Sequence, residues 1–322
     1  MNPLRAGKTK MNFRWWHEAV LVVLAAGLMG WASWIEPGFV SRNTQLALST
    51  HVWELALMAL PMTFIIITAG IDLSIASTLA LSAVTLGLCF EAGAPIGLAA
   101  AAAVAVGAAC GAINGIFVAA LRVHPLIVTL ATMAAYSGAA EGISLARPVS
   151  GFPSGFQAIG QGSLAGLPPA GWLFVVLALA AAVILGKTPF GRRLYAIGHN
   201  ESAALFSGIV VGKIKFLLYT LCGLMAGVTA VILVAHRNTA KADLGNGMEL
   251  DVITAVVLGG TSIFGGRGNI VGTVLGVLLI HETRELLSWR WNQDELTLVV
   301  IGVLLIASVL LNRLCQGRQK AD

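Results

Sequence analysis

Few side chains in this sequence sit at spacings that support chemistry. Gly260-Thr-Ser-Ile-Phe-Gly265-Gly266-Arg267 is the nearest approach to a phosphate-binding loop. Such a loop wraps phosphates in backbone N–H groups and needs G-x-x-x-x-G-K followed by Ser or Thr. The lysine and the hydroxyl are both missing here, so the chain is not expected to hydrolyse ATP. His281-Glu-Thr-Arg-Glu285 opens like H-E-x-x-H but lacks the second histidine, so no zinc pair stands at i, i+4. It reads as a polar face at the outer end of a helix. The four cysteines, Cys89, Cys110, Cys222 and Cys315, include no C-x-x-C. Three lie in apolar runs and read as small buried hydrophobes rather than as a disulfide or metal site. No catalytic residue, bound metal or cofactor is expected.

The most informative segment is polar. It runs Lys187-Thr-Pro-Phe-Gly-Arg-Arg-Leu-Tyr-Ala-Ile-Gly-His-Asn200 and continues Glu-Ser-Ala-Ala-Leu-Phe-Ser-Gly208-Ile. Asn200 suits an N-cap and Gly208 the residue just past a helix end. Between them Glu201 to Ser207 predicts two helical turns, with Glu201 placed favourably for the helix dipole. Ala203 and Ala204 keep one flank thin. A short capped helix is a rigid knob of the kind that docks into another protein. It is equally a turn that reconnects two longer helices, and the residues alone leave both readings open.

The elements around this segment are set by composition. Of 322 residues, 57% are hydrophobic, 37 are glycine and 11% are charged. An ordinary soluble domain carries about 25% charged residues, so a soluble enzyme, a disordered chain and a nucleic-acid binder are excluded. Apolar runs cover about 19–35, 52–69, 73–90, 96–121, 126–146, 171–186, 214–235, 251–264, 270–287 and 296–312. At about 20 residues per span, this predicts an all-α polytopic membrane protein of about ten transmembrane helices. The 251–264 run is too short to span without borrowing neighbours. With the N-terminus inside and the spans alternating, 14 of the 20 Lys and Arg fall on the inner side. The positive-inside rule then puts both termini in the cytoplasm. The expected organisation is a basic cytoplasmic segment at 1–18, a single transmembrane domain at 19–312 with the 187–213 loop on the cytoplasmic side, and a cytoplasmic tail at 313–322. No loop reaches the roughly 50 residues of a separate domain.

A weak internal repeat is visible. Glu54 opens a run that breaks at Gly70, with Asp72 two residues beyond; Glu249 opens one that breaks at Gly265, with Arg267 two beyond. Each break leads into a small-residue helix, Leu73-Ser-Ile-Ala-Ser-Thr78 and Asn269-Ile-Val-Gly-Thr273. If the halves are related by symmetry, Asp72 and Arg267 form a candidate gate pair at the inner mouth. The competing reading makes Asp72 a helix cap and Arg267 a positive-inside anchor. Glu54, Asp72, Glu141, Asp251 and Glu282 all fall near predicted helix ends, which argues against a mid-membrane proton or sodium relay.

Several motifs together resemble the permease subunit of bacterial monosaccharide ABC importers, the ribose, xylose, rhamnose and autoinducer-2 type. They are Ala69-Gly-Ile-Asp-Leu-Ser-Ile-Ala-Ser77, Gly111-Ala-Ile-Asn-Gly115, His124-Pro-Leu-Ile-Val-Thr-Leu130, Thr188-Pro-Phe-Gly-Arg192 and Ala255-Val-Val-Leu-Gly-Gly-Thr-Ser-Ile-Phe-Gly-Gly-Arg-Gly268. The resemblance covers about 40–312. It implies that Gly198, Asn200, Ala203, Ala204, Ser207, Gly208 and Ile209 form the coupling helix that seats in an ATPase subunit. Ala76 departs from the family's glycine, implying slightly looser packing. The resemblance further implies a permease dimer, homo- or heteromeric, in the lipid of the bacterial inner membrane. Its implied partners are two cytoplasmic ATPase subunits and a periplasmic sugar-binding protein. Glu282 to Asn292 looks most like the rhamnose type, and rhamnose or a pentose is the implied substrate. Autoinducer-2 or branched-chain amino acids on the same architecture, or a gradient-driven carrier, are the alternatives.

Overall fold

The computed structural model describes residues 16–291 and 296–307. Most of the basic 1–18 segment, the 313–322 tail and Cys315 lie outside the described residues. Each expected apolar run contains a helix, although the 251–264 run is helical only to Leu258. The long elements are α1 (Trp16–Ile35), α3 (Val52–Ile67), α4 (Ile75–Glu91), α5 (Ile96–Ala119), α6 (Pro125–Ser144), α8 (Pro169–Lys187), α11 (Val211–Arg237), α12 (Met248–Leu258), α13 (Ile270–Trp291) and α14 (Leu296–Ala307). Between them lie four short helices, α2 (Arg42–Leu48), α7 (Ser154–Gln161), α9 (Pro189–His199) and α10 (Glu201–Phe206). β1 (Val149–Ser150) pairs antiparallel with β2 (Thr239–Ala240).

The chain is therefore an all-α polytopic membrane protein. Among the described residues, five helices are long and apolar enough to cross a membrane on their own: α1, α5, α6, α8 and α11. Counting α2 and α3 as one span bent by 51° makes six. Four of the ten fall short: α4 and α12 are short, α13 carries Glu282, Arg284, Glu285 and Arg290, and α14 is described only over Leu296–Ala307. At 1.5 Å per residue, α4 with 17 residues reaches about 25 Å and α12 with 11 about 16 Å.

The two interruptions, between α3 and α4 and between α12 and α13, use the same cap. After α3, Ala69 takes a left-handed φ of 60°, the Ala69 N–H reaches the Ile66 carbonyl and the Gly70 N–H the Ile65 carbonyl. After α12, Gly260 is left-handed at 90°, its N–H reaches Val257 and the Thr261 N–H reaches Val256. This pair of bonds is the Schellman arrangement, which satisfies carbonyls that a helix end leaves bare. The helices restart at Ile75 and Ile270, 195 residues apart. They end at Ile67 and Leu258, only 191 apart, so the second interruption is four residues longer.

Glycine sets the helix packing. On α5, a Cβ added at Gly107 would meet Gly223 and Gly227 of α11, and one at Gly111 would meet the Tyr219 carbonyl and Gly223. On α13, Gly272 and Gly276 lie in the same way against Gly259 and Ala255. Helices with bare backbone on facing sides approach closely, which in lipid replaces the missing hydrophobic driving force. Threonines add hydrogen bonds across the seams, such as Thr63 Oγ1 to Thr273 Oγ1 at 2.8 Å.

Gly111→Val is expected to force α5 and α11 apart at a cost of about 1–3 kcal/mol. Thermal unfolding of the purified protein should show a lowered midpoint. Gly138→Ala, where a Cβ meets only open space, should match the wild type.

Candidate functional site

The loop between α8 and α11 folds as two helices, α9 and α10. Thr188 opens α9: its hydroxyl accepts the Gly191 N–H at 3.2 Å, and Pro189 takes the first helical position, where no N–H is needed. Leu194 and Ile197 face inward. Asn200 then caps α10, its Oδ1 accepting the Ala203 N–H at 2.9 Å. Past Ser207, Gly208 is left-handed at 82°; the Gly208 N–H bonds Leu205 and the Ile209 N–H bonds Ala204. The predicted capped helix is present, ending one residue early.

Its faces are not distributed as expected. Ala204 is 4% exposed and packs into the body of the chain, so it is not an outward docking flank. On a helix this short, the residue whose carbonyl accepts the closing bond from Ile209 must face the incoming chain. The outward surface is instead made by Phe206 at 91% exposure and Leu205 at 50%. The sequence reading missed both, although two large apolar residues beside a capped polar loop were the available signal.

Gly198 joins this loop to the two helix interruptions. A Cβ at Gly198 would run into the Ile67 carbonyl and the Gly266 N–H, the groups that hydrogen-bond each other at 2.9 Å. A Cβ at Gly265 would meet the Gly198 carbonyl and Ala69. Tyr195 adds a bond from its hydroxyl to the Gly268 carbonyl at 2.8 Å. Three backbone segments thus meet, with the Ala69 methyl filling the space beside Gly265. In the loop that resembled a phosphate-binding motif, Gly265 and Gly266 serve this contact, while Gly260 lies against His17 of α1.

The expected Asp72–Arg267 pair is not formed in this conformation. Asp72 is 2% exposed and accepts from the Ser74 backbone N–H at 3.0 Å and its hydroxyl at 2.7 Å. Arg267 is exposed, and among the described residues no ion pair joins the two. The reason is local: the turn before α4 folds the Asp72 carboxylate back onto Ser74, so it caps the helix start. Asn114 of α5, a member of a motif quoted above, donates to the Ser74 hydroxyl at 2.7 Å. Thr129 of α6 and Tyr219 of α11 both reach the Ile71 carbonyl. Three helices thereby hold the first interruption. At the second, Asn269 caps α13 through Gly272 N–H and donates to Glu18 of α1 at 2.8 Å. His17 reaches the Leu258 carbonyl at 2.9 Å. Cys110 and Cys222 are buried and Cys89 half-buried, all as free thiols. Among the described residues no cluster of His, Cys, Asp or Glu is arranged to hold a metal ion.

Gly198→Ala is expected to separate α9 from the interruptions. Losing about 1–3 kcal/mol of local stability corresponds to roughly 5- to 150-fold faster hydrogen exchange at the Gly266 amide. Unchanged exchange there would show that the contact is slack.

Residues 45–309 match the family described as the permease component of the branched-chain amino acid transport system. The ribose import permease RbsC of Bacillus subtilis is 40% identical over 281 residues, covering 87% of each chain. RbsC of Escherichia coli K12 is 36% identical over 311 residues, 95% of this chain and 97% of the relative. The autoinducer 2 import permease LsrD of Yersinia enterocolitica is 36% identical over 298 residues, 91% and 89% of the two chains. No solved structure matches the chain. With its apolar helices and this degree of similarity over nearly its whole length, the chain belongs to the multi-pass inner-membrane permeases of bacterial sugar ABC importers.

Proposed function

We propose that this chain is the membrane-spanning subunit of an ATP-driven importer that brings a monosaccharide into the cytoplasm. The observation that carries the reading is the α10 knob. Its apolar tip, Phe206 and Leu205, stands in solvent, while the preceding helix α9 rests on both helix interruptions through Gly198. An exposed phenylalanine on a rigid, doubly capped helix suits insertion into a partner's pocket. Its other end suits passing a displacement of that partner into the membrane domain. Gly198, Asn200, Ala203, Ser207, Gly208 and Ile209 shape this element, and Ala204 anchors it from within.

In this reading the ten long helices each cross or enter the bilayer, and the α9–α10 loop and both termini lie in the cytoplasm. The short members α4 and α12 are half-helices whose ends are covered by protein, the setting in which irregular backbone is tolerated at membrane depth. The 14 basic residues counted to the inner side support this orientation. The chain itself has no phosphate-binding loop, so hydrolysis belongs to separate ATPase subunits, two per dimer of permeases. A periplasmic binding protein delivers the substrate. The ribose relatives favour a pentose over rhamnose. The autoinducer 2 relative favours a second reading, import of that small polyol on the same scaffold.

Phe206→Asp is expected to abolish uptake and binding-protein-stimulated ATP hydrolysis while the permease stays in the membrane. Burying one phenylalanine contributes about 1.5–3 kcal/mol, so ATPase affinity should fall by at least tenfold. The isolated permease should hydrolyse no ATP in either form. For the orientation, a lone cysteine at Ser154 should react with an impermeant maleimide on intact spheroplasts. One at Ser202 should react only after permeabilisation; the reverse pattern would invert the topology.

A further inference from the structure

Lys187, Arg192 and Arg193 stand exposed where α8 passes into α9, and no Asp or Glu occurs between residues 187 and 200. The next acid along the chain, Glu201, is already paired with Lys215. Among the described residues no ion pair engages any of the three cations. Unpaired like charges so close in sequence repel one another, and an anion placed among them would relieve that repulsion.

An apolar groove of about 520 Å³ reaches the same place. Its walls are α3, α8 and α11, and Thr188 and Phe190 line it at the turn from α8 into α9. The walls leave room because they are thin there, with Pro61 inside α3 and Ala180 and Ala181 on α8. Ile184, Leu217 and Leu221 also line the groove, and all three are exposed. They stand on α8 and α11, both long and apolar enough to cross a membrane. Helix spacing joins the groove to the cations, since residues three and four apart share a face. Lys187 follows Ile184 by one turn of α8, and Arg193 follows Phe190 by one turn of α9. Arg192 stands four residues after Thr188. The apolar lining therefore continues directly into positive charge.

This combination selects one occupant. A free phosphate would satisfy the cations and leave the apolar groove empty. A lipid with a zwitterionic head would fill the groove and leave the net positive charge uncompensated. A second copy of the chain, related by a two-fold axis through this face, would set two basic clusters against each other. We propose that the groove holds an acyl chain of an anionic glycerophospholipid, whose phosphate headgroup is bound by Lys187, Arg192 and Arg193. Basic pockets between membrane helices on the cytoplasmic side are suited to such headgroups. The lipid braces α3, α8 and α11 against α9, the helix that carries Gly198.

This rests on the orientation proposed above, and the test separates the two. The purified permease, without ATPase or binding protein, is given equal amounts of phosphatidylglycerol and phosphatidylcholine with identical acyl chains. Retained lipid is counted by native mass spectrometry. At about fivefold per basic residue near a headgroup, phosphatidylglycerol should be retained at least about tenfold over phosphatidylcholine. The triple variant Lys187→Gln, Arg192→Gln, Arg193→Gln should lose that preference. Ala180→Trp, at an exposed position lining the groove, should reduce phosphatidylglycerol retention with every charge intact. Arg147→Gln, an exposed cation of another loop, should change nothing, and unaltered thermal unfolding midpoints show that the variants fold. Equal retention of the two lipids by the wild type overturns the proposal. So does a preference that Ala180→Trp leaves untouched, which would reduce the cations to general attraction for headgroups. If Ala180→Trp instead splits a permease dimer with lipid retention unchanged, the groove is an interface between copies and the proposal fails. Lipid preference without cytoplasmic labelling at Ser202 removes the orientation alone; cytoplasmic labelling without lipid preference removes the lipid site alone.

Discussion

Lipid offers no water to a backbone N–H or carbonyl, and this chain ends α3 and α12 and starts α4 and α13 in turns packed against its apolar body. Each bare group there must find a protein partner or cost several kcal/mol. Much of the surrounding structure supplies such partners. The Schellman bonds close the ends of α3 and α12, and Asp72 and Asn269 close the starts of α4 and α13. Asn114, Thr129 and Tyr219 reach in from α5, α6 and α11 to hold the first interruption. Glu18 and His17 of α1 do the same for the second. The interruptions thus determine which polar residues the neighbouring helices carry and at what depth.

Glycine solves the second half of the problem. Bringing capped ends together demands that backbones touch, and a single Cβ at Gly198, Gly265 or Gly272 would occupy the contact. Ala69 is the informative exception. It holds a left-handed conformation that costs an L-residue about 1–2 kcal/mol, and its methyl occupies the space that Gly265 leaves open. The strain on one segment is matched by the missing side chain on the other. The same economy of small residues along α5 and α11 gives the membrane domain its tightest seam.

The apolar runs were legible because hydrophobic residues and charge-bearing turns alternate so plainly that helix positions follow within a few residues. What the runs could not reveal was where each helix stops: the 251–264 run is helical only to Leu258, after which left-handed Gly260 turns the chain. The repeat offset of 195 was correct for the restarts at Ile75 and Ile270. It mismatched the helix ends, because the second interruption carries four extra residues that composition does not flag. In the loop, Asn200 and Gly208 announced α10 through cap chemistry. The Thr188-Pro189 start and the inward Leu194 and Ile197 announced α9 equally well, but went unread as a helix. The facing of Ala204 and Phe206 depends on where α10 rests, which is tertiary information absent from six residues.

The junction at Gly198 has a mechanical consequence. Side chains in contact behave as soft couplings, because they can change rotamer and absorb a push before passing it on. Carbonyl and amide groups pressed together at Gly198, Ile67 and Gly266 have no such freedom. A displacement of α9 would therefore meet the end of α3 and the turn before α13 without play, as through gears cut with no backlash.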